Sequence, residues 1–153
     1  MNIVGLGKPC QVAIITKNAE ETAANWAALF GLPVPPISTG GDYEITKCTY
    51  MGKPAPNSFA KLAFFNFDGI QVEIIEPYGE DSTWKDFLLT SGGGIHHFGF
   101  QVDDIEEAMK KCEDFGMKLT QIGNYGDGSG MYAYFDARAQ LNCFVELLHS
   151  FKK

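Results

Sequence analysis

Three stretches that alternate like strands each carry one polar residue among apolar neighbours. Gln11 lies between Cys10 and Val12, Glu73 between Val72 and Ile74, and Glu146 between Val145 and Leu147. A carboxylate flanked by aliphatic side chains in a strand core is costly unless it is paired or bound to a metal. Here it occurs twice, in matching surroundings. His97, in a fourth apolar stretch, completes the set. Gln, Glu, His and Glu offer three oxygen donors and one nitrogen. That combination suits a hard or borderline divalent cation with water in its remaining positions. It is not the cysteine-rich set of a structural zinc site. It also lacks the second histidine of an iron(II) facial triad, which argues against oxygen chemistry.

Each residue has a plainer explanation when taken singly. Gln11 can hydrogen-bond a neighbouring strand, and a lone strand glutamate can face solvent. His96 reads as a structural histidine, with one of His96 and His97 facing each side of the sheet. His149 is placed outside the site. The glycines at 92–94 read as a linker, because they lack the spacing of a phosphate-binding loop. The joint pattern outweighs these readings, because the four residues recur at equivalent places in two halves of the chain.

The elements that must carry them follow from periodicity. Residues 10–16 read as a strand. Asn18 caps a helix with Glu20 and Glu21 in its first turn and Trp26, Leu29 and Phe30 as its apolar face; Gly31 and Pro33 stop it. Strands are expected over 43–50, 60–67 and 70–76, with an Asp68–Gly69 turn, and a loop over 52–58. A short helix over 81–89 leads to the glycine run. The opening order then returns: a strand over 95–102, a helix capped by Asp103 or Asp104 with Ile105, Ala108, Met109 and Cys112 inward, and strands over 117–122, 131–135 and 142–148. A glycine-rich loop spans 123–130.

The repeat is also legible in residues. Gln11-Val12-Ala13-Ile14 aligns with His97-Phe98-Gly99-Phe100, and Val72-Glu73-Ile74-Ile75 with Val145-Glu146-Leu147-Leu148. A period this long marks a module duplication. The expected fold is α+β: two βαβββ modules forming an eight-stranded, open, cup-shaped sheet with helices outside. The modules are placed at 10–77 and 95–149, with a connector at 78–94, in a single domain. A two-fold relation between them would bring the four polar residues to the floor of the cup.

The composition of the 153-residue chain is consistent with a packed domain: 45% hydrophobic and 13% aromatic. Nineteen acidic against twelve basic residues give a net charge of −7, which excludes non-specific binding to nucleic acid or anionic membrane. No apolar run approaches the ~20 residues of a membrane span. Met1–Lys8 lacks a secretory pattern. Cys10, Cys48, Cys112 and Cys143 are scattered, which fits reduced thiols and a cytoplasmic protein.

The duplication, the run GGGIHHFGFQVDDIEEA (92–108), and the strand endings QVEIIEP (71–77) and CFVELLH (143–149) resemble the vicinal oxygen chelate superfamily. That group includes glyoxalase I, methylmalonyl-CoA epimerase, extradiol dioxygenases, and fosfomycin or bleomycin resistance proteins. The resemblance covers residues 10–149. It implies one divalent ion (Zn, Ni, Co or Mn) held by Gln11, Glu73, His97 and Glu146, and a homodimer. It implies metal-assisted proton transfer next to the carbonyl of a thioester or 2-oxo compound. Glu146 is the first candidate base and Glu73 the second, with loops 52–58 and 123–130 closing over a small-molecule substrate. The set matches zinc-type glyoxalases, whereas the paired histidines look more like the epimerases, whose first ligand is usually His. Ile15 and Gly93 stand where glyoxalases carry glutathione-gripping arginines, and the only arginine is Arg138. Lys61, Leu62 and Ala63 stand near the place where some epimerases carry a catalytic glutamate, leaving Glu44 or a displaced ligand as a second base. A CoA ester would also need Lys47, Lys53, Lys61 and Lys118 to gather against the chain's acidic field. The alternative is a binding protein for a drug or aromatic ligand, with Phe64, Phe65, Phe67, Tyr132 and Tyr134 supplying an apolar pocket. An iron-dependent ring-cleaving enzyme is a third class.

Overall fold

A computed structural model describes residues 9–152; Met1–Lys8 lies outside the described residues. In chain order the elements are β1 (Gln11–Ile15), α1 (Ala19–Phe30), β2 (Ser38–Thr39), α2 (Tyr43–Thr46), β3 (Thr49–Tyr50), β4 (Lys53–Pro54), β5 (Ser58–Phe67) and β6 (Ile70–Gly79). They continue with α3 (Thr83–Ser91), β7 (Gly94–Gln101), α4 (Ile105–Asp114), β8 (Lys118–Asn124), β9 (Gly130–Asp136), α5 (Arg138–Leu141) and β10 (Phe144–Ser150). The strands form one curled sheet in the order β2-β5-β6-β1-β7-β10-β9-β8-β3-β4. This is the expected α+β cup, with ten strands rather than eight.

The second half follows βαβββ as β7-α4-β8-β9-β10. Asp104 caps α4 by accepting from Glu107 N, and Ile105, Ala108 and Cys112 turn inward. They pack on Phe135, Val145 and Leu147. In the first half, Asn18 caps α1 by accepting from Glu21 N. Gly31 ends the helix in the left-handed conformation at φ 66°, which glycine adopts without strain. The face that α1 buries is Ala19, Ala23 and Ala27, spaced four apart. These small residues let the helix approach Ala63, Phe65, Val72 and Ile74 closely. Leu29 and Phe30, expected on the buried face, are exposed at 79% and 52%. The alanine stripe wins because only it can lie flush on the sheet.

The expected strand over 43–50 is corrected. Residues 43–46 form a helical turn that Lys47 ends at φ 46°, and only Thr49–Tyr50 is extended. Its alternation resembled a strand, but Asp42 O accepts from the amides of Ile45 and Thr46 and winds the segment up. β3 and β4 then leave their own half altogether. β3 pairs with β8, Thr49 opposite Ile122. The chain between β2 and β5 therefore crosses from one edge of the sheet to the other, and the second strand of the first half is reduced to Ser38–Thr39.

Candidate metal centre

The centre of the sheet is the group β6-β1-β7-β10. β1 runs parallel to β6 and antiparallel to β7, and β7 runs parallel to β10. Two rows of residues cross these strands. In one, Glu73, Ala13 and His97 lie side by side; in the other, Gln11, Gly99 and Glu146 do. The halves exchange Gln11 with His97, Ala13 with Gly99, and Glu73 with Glu146. Each row thus holds a small residue between two long polar ones. An added Cβ at Gly99 would meet Gln11 Cβ and Oε1 at 3.0 Å and Glu146 Oε2 at 3.3 Å. The missing side chain is what leaves room among the donor atoms.

Those atoms converge. His97 Nε2 lies 3.2 Å from Gln11 Oε1, 3.0 Å from Glu146 Oε2 and 3.6 Å from Glu73 Oε2. One donor atom from each of Glu73, His97 and Glu146 lies within 4.8 Å of the others, and all three residues are buried. Ligands bound at ~2.0–2.2 Å around one ion are themselves separated by about 3–4 Å. Glu73 Oε2 and Glu146 Oε2 are buried without a hydrogen-bond partner. Two such oxygens, aimed at one imidazole nitrogen beside a glycine cradle, fit a divalent cation. All four residues named from sequence are therefore brought together. Glu44 is not among them, since it is exposed and paired with Lys47.

Other residues set the orientation. Gln11 Nε2 donates to Gln71 Oε1 at 2.8 Å, and Gln71 Nε2 donates to Asn66 Oδ1 at 2.9 Å, which turns Gln11 Oε1 toward His97. The plain reading of Gln11 as a strand-to-strand hydrogen bonder is thus also true of its nitrogen. A register shift places Ile14 opposite Ile95 and Ala13 opposite His97, so His96 is the extra residue of a bulge. Its Nδ1 sits 2.9 Å from His97 Nδ1, and its ring stacks on Phe144 and meets Phe87 of α3 edge-on. Gln71, Asn66 and the bulge were not singled out from sequence. Only the polar character of Gln71, two residues before Glu73 on the same strand face, pointed that way.

Burial governs the charges. It pushes the His97 imidazole down to about 3. It pushes Glu146 up to about 8, against a lowering hydrogen bond from Tyr134. Glu73 is raised well above the carboxylate range, first by burial and then by repulsion from Glu146. Desolvation outweighs the attraction between imidazole and carboxylate, so without a cation burial favours protonated carboxyls beside a neutral imidazole. Cation binding must expel the carboxyl protons. Affinity for Zn(II) or Co(II) is therefore expected to rise steeply between pH 6 and 8, with proton release measurable by calorimetry in buffers of different ionisation heat. A pH-independent affinity would contradict this. Gly99→Ala is expected to weaken the same binding by about 10–100-fold, read by competition with a chelating dye, with circular dichroism unchanged.

Gln11, Glu73 and Glu146 of the cluster line the floor of a cavity of about 670 Å³, and His97 is fully buried behind them. Phe59, Leu62, Phe64, Trp84, Tyr132 and Tyr134 contribute its apolar wall. Gly40 and Gly41 meet Gly126 across the rim; a Cβ at Gly41 would lie 2.6 Å from Gly126 Cα. Of the aromatics expected from sequence, Phe65 and Phe67 instead pack under α1 with Trp26.

A profile of the family described as the Glyoxalase/Bleomycin resistance protein/Dioxygenase superfamily matches residues 10–135. The chain belongs to that superfamily. An ethylmalonyl-CoA/methylmalonyl-CoA epimerase of Cereibacter sphaeroides is 26% identical over 145 residues, covering 93% of this chain and 97% of that protein. A mitochondrial methylmalonyl-CoA epimerase of Dictyostelium discoideum is 29% identical over 108 residues, 70% of this chain but only 56% of that protein's length. Among solved structures, methylmalonyl-CoA epimerase from Mycobacterium tuberculosis superposes with a TM-score of 0.67 at 13% identity, covering 98% of this chain and 91% of that one. A Streptomyces coelicolor methylmalonyl-CoA epimerase variant in complex with 2-nitronate-propionyl-CoA gives 0.64 at 17% identity, covering 97% and 100%. These structures share the fold. No helix among the described residues is long and apolar enough to cross a membrane.

Proposed function

We propose that this protein is a divalent-metal-dependent isomerase or lyase that moves a proton next to the carbonyl of a thioester or 2-oxo compound. The observation that carries the reading is the convergence of Gln11, Glu73, His97 and Glu146 on one point, three of them lining the floor of the cavity. Their donor chemistry suits Zn, Ni, Co or Mn. An ion held there supplies Lewis acidity where negative charge develops on the substrate oxygen.

The chain's own groups supply the rest. Glu146 is the principal base, and Glu73 its counterpart from the other half of the sheet. They reach the cavity floor from β10 and β6, on either side of the β1–β7 pair. One takes a proton from the substrate carbon, and the same group or its opposite returns it. With the ion bound both carboxyls are ionised, the form in which a group can accept a proton. Tyr132 and Tyr134 are held well above the usual phenol range by burial, so their hydroxyls stay protonated as donors. The apolar wall surrounds the reacting carbon with low-polarity surface.

The named activity of the relatives supports the isomerase side of this reading. Pairing into a homodimer and a cytoplasmic setting belong to the same proposal. The expected result is metal-dependent wash-in of deuterium at the acidic carbon of a 2-oxo or thioester substrate in D₂O. A second reading, a binding protein for an aromatic compound, draws on the aromatic wall of the cavity. Tight ligand binding unchanged by a chelator, with no exchange, would favour it.

A further inference from the structure

We infer that His96 is a positioning residue for the metal ligand His97: its Nδ1 accepts the hydrogen bond that keeps the His97 hydrogen on Nδ1 and leaves Nε2 bare for a cation. That role belongs to the metal-dependent reading proposed above and rests on it.

His96 Nδ1 lies 2.9 Å from His97 Nδ1, and both residues are fully buried. A charged ring is disfavoured at this depth, so each imidazole carries a single hydrogen. Two ring nitrogens in contact then share one hydrogen: one donates and the other accepts. On its other side, His97 Nε2 faces Gln11 Oε1 at 3.2 Å, Glu146 Oε2 at 3.0 Å and Glu73 Oε2 at 3.6 Å. Coordination requires an unprotonated nitrogen. His97 must therefore carry its hydrogen on Nδ1, and the partner of that atom is His96 Nδ1. With the bond reversed, the hydrogen would sit on His97 Nε2 and point into the donor cluster, closing that position to a cation.

The far nitrogen of His96 separates this role from the plain filling of space. When Nδ1 accepts, the ring's own hydrogen sits on Nε2, and that atom is buried without a hydrogen-bond partner. An unpaired buried polar atom destabilises a fold. A phenyl ring would occupy the same space beside Phe87, Phe144 and Tyr134 without leaving one. The imidazole is thus unfavourable as packing alone, and the side-chain hydrogen bond it does make is to a metal ligand.

The fold holds this acceptor in place. The bulge leaves His96 without a partner on β1, and it lets two successive side chains meet where a regular strand would send them to opposite faces. The His96 ring lies 4.5 Å from the Phe144 ring at 19° between planes, and 4.9 Å from the Phe87 ring at 77°. Phe144 is the β10 residue beside His97, and Phe87 belongs to α3. A strand of the second half and the helix joining the halves therefore fix the plane of one ring. A ligand imidazole bonded to an ordered acceptor keeps its orientation and gains basicity at its other nitrogen. A neutral imidazole does this without adding charge to a site that already holds two carboxyls.

Two substitutions divide the ring from the acceptor. His96→Phe keeps the stacking and removes the acceptor; His96→Asn gives up the ring and keeps an oxygen near the place of Nδ1. Zn(II) affinity is measured by competition with a chelating dye, alongside thermal unfolding of the metal-free proteins. His96→Phe is expected to bind Zn(II) about 10–100-fold more weakly while unfolding at or above the wild-type temperature, and His96→Asn to bind within about threefold of wild type. In Zn(II)-loaded wild type, a measurement that needs no variant to fold, long-range proton–nitrogen correlation spectra should place hydrogens on His97 Nδ1 and His96 Nε2. Zn(II) binding by His96→Phe as tight as that of wild type overturns the inference and leaves the metal centre standing, and so does a hydrogen on His96 Nδ1. Equal losses in the two variants assign the effect to packing and also overturn it. A wild type that takes up no Zn(II) overturns the metal centre and this inference with it. Deuterium exchange by Zn(II)-loaded wild type bears on proton transfer alone: its absence overturns that reading and leaves the role of His96 intact.

Discussion

Glu146→Gln is expected to lower the metal-dependent exchange rate by about 10²–10⁴-fold, the usual contribution of a positioned general base. Glutamine keeps an oxygen donor and nearly the same volume, so the sheet and much of the metal affinity should survive. The decisive comparison is exchange per bound ion, not per chain. Glu73→Gln, on the other side of the cluster, should cost less if Glu146 is the principal base. If its loss is equal, the two carboxylates share the work, one for each face of the substrate carbon. Undiminished exchange per bound ion in Glu146→Gln would remove Glu146 from the chemistry.

The second large effect is on stability in the absence of metal. Glu73 and Glu146 have carboxyls raised by burial, Glu146 to about 8, so above about pH 4.5 the folded protein holds protons that the unfolded chain has released. Stability therefore falls as pH rises through that window. His96 and His97 act in the opposite sense. Their folded values are lowered, His97 to about 3, so the unfolded chain takes up protons first and stability falls as pH drops below about 6.5. The metal-free protein should be most stable between about pH 4.5 and 6.5. At pH 8, Glu73→Gln should raise its stability, and at pH 4.5 by far less. Adding Zn(II) should reverse the order, because the substitution then removes a ligand. Urea titrations at three pH values with and without metal measure this directly. A Glu73→Gln protein less stable than the wild type at pH 8 without metal would show that the buried carboxylates do not strain the fold.

Much of the second half was legible in the sequence, and the reason is local. In β8, β9 and β10 short β-prone stretches bounded by turn residues fall where the strands form, and Asp104 marks the start of α4. The segment between β2 and β5 was not legible. Tyr43 to Tyr50 alternates as a strand would, but its extended part pairs with β8, some seventy residues along the chain. Nothing in local periodicity announces a partner that distant. The duplication itself revealed the four donor residues, since one buried glutamate is unremarkable and two at equivalent positions are not. The residues that make room for them carry no such signal. Ala13 and Gly99 look like any small strand residue until their register beside Gln11, His97, Glu73 and Glu146 is known. The ring-to-ring contact of His96 with His97 depends on a bulge, and a one-residue register shift leaves no trace in composition. Trp84 was also unforeseen. It comes from the helix joining the two halves and lines the cavity between them.

A crystal structure of Co(II)- or Zn(II)-soaked protein with an anomalous difference map tests the central claim most directly. The prediction is one peak per chain, with Gln11 Oε1, His97 Nε2 and an oxygen from each of Glu73 and Glu146 at about 2.0–2.3 Å. A protein that takes up no ion, or one whose ion lies away from these four atoms, would contradict it.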